Sequence, residues 1–149
     1  MPSRIIVSLR YLAVLLATLV SAACGTAPSA RSESELQNAA TDSVVQFLIS
    51  AAATDFHAHR LPDPGRFRDV RIGHVMTPRR EKQYMLCGQF LPAQAGGKAG
   101  WTPFATIKTS GYEQWTGAQA AGFCQDSSII WDKVGDLSSS LQSQLDSLR

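Results

Sequence analysis

The tetrapeptide Pro62-Asp63-Pro64-Gly65 constrains this chain more than any other feature. Two prolines and a glycine in four residues cannot continue a helix, because proline lacks the amide donor and clashes with the preceding turn. The break separates two kinds of hydrophobic pattern. Before it, Val44, Phe47, Leu48 and Ala51 recur at helical spacing. This predicts a helix from near Thr41-Asp42 to between residues 53 and 57, with Ser43 and Gln46 as a capping box. After the break come runs of strand character. Residues 67–76 carry Val70, Ile72 and Val75 among charged residues, and residues 83–91 are mostly apolar around Cys87-Gly88. Residues 101–109 alternate Trp101, Ala105 and Ile107 on one face. The polar turn at 77–82 and the Gly-rich connection at 94–100 are short, which predicts antiparallel hairpins rather than crossovers.

Residues 110–122 hold Tyr112, Trp115 and a Gly-Ala-rich stretch and read as a loop over the sheet. Residues 128–131 suggest a short fourth strand. After Gly135, Asp136 is the expected N-cap of a short amphipathic helix carrying Leu137, Leu141, Leu145 and Leu148. The expectation is an α+β domain over residues 41–149: an N-terminal helix, a three- to four-stranded antiparallel sheet and a short C-terminal helix, both helices on one sheet face. No internal repeat is evident.

The N-terminal end carries an address. Arg4 and Arg10 precede and flank an uncharged apolar run over residues 11–20, so residues 1–23 read as an export signal. A bilayer-spanning helix needs roughly 20 apolar residues, which this run lacks. Removing those two arginines from the 14 basic residues leaves as many as the 12 acidic ones. A neutral mature chain excludes a general nucleic-acid binder and a polybasic membrane-surface protein. With 44% hydrophobic and 17% charged residues, the body is an ordinary globular composition. Residues 24–40 hold the attachment point and a tether poor in apolar side chains.

Ser21-Ala22-Ala23-Cys24-Gly25 resembles a bacterial lipobox, with Ser21 where that pattern prefers an aliphatic residue. The resemblance implies acylation of Cys24 as the new N-terminus. Gly25 after it, rather than Asp, implies the periplasmic side of a Gram-negative outer membrane. Ordinary cleavage after Ala22 or Ala23 is the alternative, giving a periplasmic or secreted protein. The chain has three cysteines, Cys24, Cys87 and Cys124. If Cys24 carries lipid, Cys87 and Cys124 form a disulfide in an oxidising compartment.

Leu61-Pro62-Asp63-Pro64, Phe67-Arg68-Asp69-Val70-Arg71 and Cys87-Gly88-Gln89-Phe90 resemble a group of small exported bacterial proteins, many of them lipoproteins. In that group a helix is followed by a D-P turn, an F-R-[DN]-V segment and a C-G-x-[VF] strand. The resemblance covers about residues 51–104. Here Leu91-Pro92 stands where the group continues with Asn and a Gly-Gly-aromatic turn. It implies fold and export and supplies no active site.

Several constellations are candidates for chemistry. Asp55, His57 and His59 are the most metal-like cluster, with Asp55 and His59 on one helix face and His57 elsewhere. Imidazoles at a helix C-terminus also suit the dipole without any metal. Cys87 is a conceivable thiol nucleophile with His74 as base, set against a structural disulfide. No G-x-S-x-G elbow is present, and Gly96-Gly97 lacks the Lys-Ser or Lys-Thr of a phosphate loop. Arg60, Arg66, Arg68, Arg71, Arg79, Arg80 and Lys82 form a basic region offset in part by Asp63, Asp69 and Glu81. It reads as a solvated strand face and turn, or as a patch for lipid headgroups or an anionic polysaccharide. Trp101, Trp115 and Tyr112 are groove candidates, with Trp101 expected in the core and Trp115 exposed. The leading expectation is a non-enzymatic envelope lipoprotein that binds an envelope protein or anionic glycan, with no catalytic, cofactor or metal residue assigned. The alternative is a soluble periplasmic enzyme or metal-binding protein using Asp55, His57 and His59, or Cys87.

Overall fold

The computed structural model describes residues 30–59, 63–93 and 100–149. The expected signal segment, Cys24, the first part of the tether, Arg60 and the Gly-rich connection at 94–99 lie outside them. The chain folds as α+β. Helix α1 (Ala30–His59) leads into β1 (Pro64–Met76), β2 (Lys82–Pro92), β3 (Thr102–Lys108) and β4 (Tyr112–Thr116). Then come α2 (Gly117–Cys124), β5 (Ile130–Trp131) and α3 (Ser138–Asp146). All pairings are antiparallel and the strand order is β4-β3-β2-β1-β5.

Three expectations need correction. Helix α1 begins at Ala30, so residues 30–40, expected as tether, are helical and no cap forms at Ser43. Ala, Glu, Leu and Gln are strong helix formers, and no proline or glycine stands between residues 30 and 59. Its buried residues, Val45, Leu48, Ile49, Ala51, Ala52, Ala53 and Phe56, keep the expected Leu48 and Ala51, but the face is rotated toward Val45 and Ile49, which leaves Phe47 38% exposed. That rotation buries Phe56, whose ring meets Phe67, Phe90 and Phe104 at centroid distances of 5.3, 5.1 and 5.4 Å. Such tilted and edge-on contacts add about 0.5–1.5 kcal/mol each beyond burial. Second, residues 110–122 are strand β4 and helix α2, not a loop. With β5 they make a sheet of five strands rather than three or four. Third, the N-cap of α3 is Leu137 rather than Asp136, and Leu148 is 37% exposed.

Both expected helices, α1 and α3, do cover one sheet face. Phe67, Val70, Ile72, Leu86, Phe90 and Phe104 of the strands pack there against Val45, Leu48, Phe56, Leu137, Leu141 and Leu145. A second, smaller core lies on the opposite face, where Met85, Cys87, Ala105 and Ile107 meet Ala120 and Ile129, with Trp115 and Trp131 beside them.

The F-R-D-V and C-G-Q-F segments owe their residue types to this packing. Between Arg68 and Arg71, β1 gains one residue over β2, a bulge. The bulge brings Phe67 and Val70 onto the same face. It needs a left-handed backbone at Asp69 (φ +53°), which Asp and Asn tolerate better than other side chains. The freed Val70 amide donates to Asp136 Oδ1 and Ser138 Oγ at 3.2 Å, and the Val70 carbonyl accepts from the Leu137 amide at 2.8 Å. The bulge is thereby latched to the start of α3. Gly88 sits directly beneath this arrangement, where a Cβ would fall 2.7 Å from Phe104 Cε1 and 2.8 Å from Val70 Cγ2.

Candidate functional site

Helix α2 is short and packs on β3 and β4, leaving the part of its sheet face over β1 and the end of β2 uncovered by a helix. Along β2, Gln89 shares a face with Cys87 and Met85, since side chains alternate along a strand. On β1, Arg66, Arg68 and Arg71 are exposed beside it. The uncovered half-face therefore carries arginines, Gln89, Trp101 and Pro103, bordered by Trp131 and the end of α2.

Two guanidinium groups are held there by indole rings. Arg68 lies over Trp101 and Arg71 over Trp131, each 4.3 Å from the ring centroid. A cation over an indole face gains about 0.5–1 kcal/mol at exposed sites, which limits the rotamers of both arginines. Arg68 also donates to Gln89 Oε1 through Nε at 3.1 Å and Nη2 at 2.7 Å, and its Nε lies 3.4 Å from Asp69 Oδ2. A guanidinium has no acceptor, so these bonds fix the amide of Gln89 with its oxygen toward Arg68. The Gln89 NH2 is left as the group it offers elsewhere. Arg71 has no ion-pair partner among the described residues. A groove of about 180 Å³ opens here, lined by Asp69, Arg71, Gln89, Pro103, Trp131 and the Cys87–Cys124 bridge.

Gly73 makes the Trp131 platform possible. A Cβ there would come within 2.9 Å of Trp131 Cε3 and 2.7 Å of Ile129 Cγ2, so only glycine lets the indole and Ile129 approach β1 this closely. Gln89, Pro103 and Trp131 were not singled out in the sequence as site residues. An arginine two residues before a glycine in a strand (Arg71-Ile72-Gly73) was the available signal.

The basic region does not form one patch. Arg66, Arg68 and Arg71 lie on this face, whereas Arg79, Arg80 and Lys82 belong to the β1–β2 turn at the far end of the hairpin. That turn is closed by Thr77, whose amide donates to the Glu81 carbonyl at 2.9 Å.

Trp101 and Trp115 are both half-buried, so neither aromatic expectation holds as stated: Trp115 packs against the second core with its ring tilted on Phe123 at 5.7 Å, while Trp101 carries Arg68 on the open face. Tyr112 lies on the opposite side of the sheet, where its hydroxyl donates to Asp55 Oδ1 at 3.4 Å. Partial burial, then the Asp55 charge and this hydrogen bond, raise that hydroxyl above its ordinary value of 10.0.

The sulfurs of Cys87 and Cys124 are bonded, with Cα atoms 5.9 Å apart. Cys87 is therefore not a thiol nucleophile, and His74 is no base for it. His74 is buried beside Tyr84, its Nδ1 3.4 Å from Asp132 Oδ1, facing away from Cys87. At the end of α1, Asp55 pairs with His59, Nδ1 to Oδ1 3.3 Å. His57 instead borders a depression with Asp63, Leu145 and Arg149. Arg149 there donates to Asp63 Oδ1 at 2.9 Å and to the Pro64 carbonyl at 2.8 Å, a clasp on the chain break. Among the described residues no three His, Cys, Asp or Glu side chains are gathered to hold a metal.

Fold and face together define a small disulfide-closed α+β domain with one half-open sheet face. Compared with protein-family models, curated proteins and solved structures, the chain matches none.

Proposed function

We propose that the protein is an exported envelope lipoprotein, anchored through Cys24, whose domain is a non-enzymatic binding module. The observation that carries this reading is the Cys87–Cys124 bridge. A disulfide in the folded body fits an oxidising compartment. It also uses two of the three cysteines, so Cys24, next to the apolar run, is the third. An odd cysteine at that position is accounted for by acylation. The binding role is supported by the open half-face, where Arg68 and Arg71 are held on indoles beside a groove. The long helix α1 would set the domain away from the membrane.

Membrane fractionation of wild type and Cys24→Ser tests the anchor. Wild type is expected in the membrane fraction with incorporated labelled fatty acid, and the variant is expected soluble, unlabelled and folded. Identical fractionation of the two forms rejects the anchor.

A further inference from the structure

We infer that the groove beside the disulfide is a binding site for the carboxylate of an acidic glycan. The inference deepens the binding-module reading above and rests on it. Besides Asp69, the polar side chains that line the groove are Arg71, Gln89, whose oxygen is taken by Arg68 so that its NH2 is the group left to offer, and Gln125, whose carboxamide can turn its own NH2 inward. The acid at the rim, Asp69, lies on Arg68 at 3.4 Å. Among the groove-lining residues this leaves one unmatched positive charge, that of Arg71, 4.3 Å over the Trp131 ring. One planar cation edge and amide NH2 groups suit a planar monoanion with two acceptor oxygens. A phosphate dianion calls for more positive charge than remains.

The walls decide what bears the carboxylate. Pro103, Ala121 and the Cys87–Cys124 bridge give the groove apolar sides against which the C–H face of a sugar ring can pack. Its volume, about 180 Å³, is smaller than the 300 Å³ or more of typical small-molecule pockets, and fits one sugar residue of a longer chain.

The test is calorimetric titration of the purified full-length protein with oligogalacturonate, its carboxyl methyl ester, inorganic phosphate, and phosphatidylglycerol vesicles. Oligogalacturonate should bind, and esterification should weaken it at least about tenfold, the scale of one charge-assisted hydrogen bond. Arg71→Gln should lose at least about tenfold, and Gln89→Glu, which adds an acid to the groove, should lose more. Arg79→Gln, in the exposed turn, changes net charge equally and should stay within about twofold of wild type. Urea midpoints of all variants within error of wild type tie any loss to the groove. No binding, equal binding of the ester, equal loss in Arg79→Gln, or binding only of phosphate or vesicles overturns the assignment. Failure here with fatty acid still on Cys24 removes the ligand and leaves the anchor. Binding by a protein that carries no lipid does the reverse.

Discussion

Gly88→Ala tests whether the C-G-Q-F segment is dictated by packing. The added Cβ would stand 2.7 Å from Phe104 Cε1 and 2.8 Å from Val70 Cγ2, closer than real Cβ contacts come. Neither neighbour can give way easily. Phe104 and Val70 are fully buried, Phe104 is wedged by Phe56 and Phe67 at 5.4 and 5.8 Å, and Val70 is latched to Asp136 and Ser138. Overpacking costs about 1–3 kcal/mol. The stiffer unfolded chain returns about 0.4–1 kcal/mol. A net loss of about 1–2 kcal/mol follows, a lowering of Tm by roughly 4–12 °C for a domain of this size. Gly122→Ala is the matched control, since it lies in α2 with nothing within 4 Å of the added atom. It should stabilise by about 0.5–1 kcal/mol, the ordinary helix preference for alanine. Urea unfolding followed by circular dichroism under non-reducing conditions reads both. A Gly88→Ala variant within about 0.3 kcal/mol of wild type, or a Gly122→Ala variant that loses as much as Gly88→Ala should, would show that packing does not select glycine at residue 88.

Further outcomes follow from the same geometry. Reduction of the Cys87–Cys124 bridge opens a loop of sequence separation 37, worth about 4 kcal/mol in the chain-entropy model. Dithiothreitol should therefore lower the urea midpoint sharply, and an unchanged midpoint contradicts a structural bridge. Hydrogen bonds from the Ser138 hydroxyl, opposed by partial burial and aided by the Ser138 and Val70 amides, hold the Asp136 carboxyl below its ordinary 3.8. A depressed carboxyl contributes stability above its unfolded value that is lost as pH falls through its folded one. Asp136→Ala should thus lose stability at neutral pH and show a shallower decline below about pH 4; a decline as steep as wild type's counts against the latch. Arg80 holds a left-handed backbone (φ +63°) in the β1–β2 turn. Arg80→Gly should stabilise by up to about 1 kcal/mol in thermal unfolding, and a loss would show that this conformation is not strained.

How far the sequence could be read follows from where the physics is local. The end of α1 ahead of Pro64-Gly65, the antiparallel pairing of β1 with β2 and of β2 with β3, and the burial of Leu137, Leu141 and Leu145 are set by short-range pattern and are legible in the sequence. Helix α2 was not, because Gly117 and Gly122 weaken a helix that Ala118, Ala120 and Ala121 favour, and the bond from Cys124 to Cys87 holds it on the sheet. The rotation of α1 was hidden for a similar reason. Stripes through Val44 and Val45 are nearly equal by pattern, and only the Phe56 cluster across three strands selects the second. The bulge at Asp69 decides which arginines face the groove, and a period-two reading of β1 passes over it. The Arg71–Trp131 stack joins residues from strands distant in sequence, through a glycine whose role is visible only once Trp131 lies on it.

Intact mass spectrometry of the protein extracted from membranes decides between a lipid-anchored and a simply exported chain. The expected species begins at Cys24, heavier than its sequence by a diacylglyceryl group and an N-linked acyl chain, and lighter by two hydrogens for the Cys87–Cys124 bridge. A chain beginning elsewhere, or one at Cys24 with no added lipid mass, would contradict the anchor.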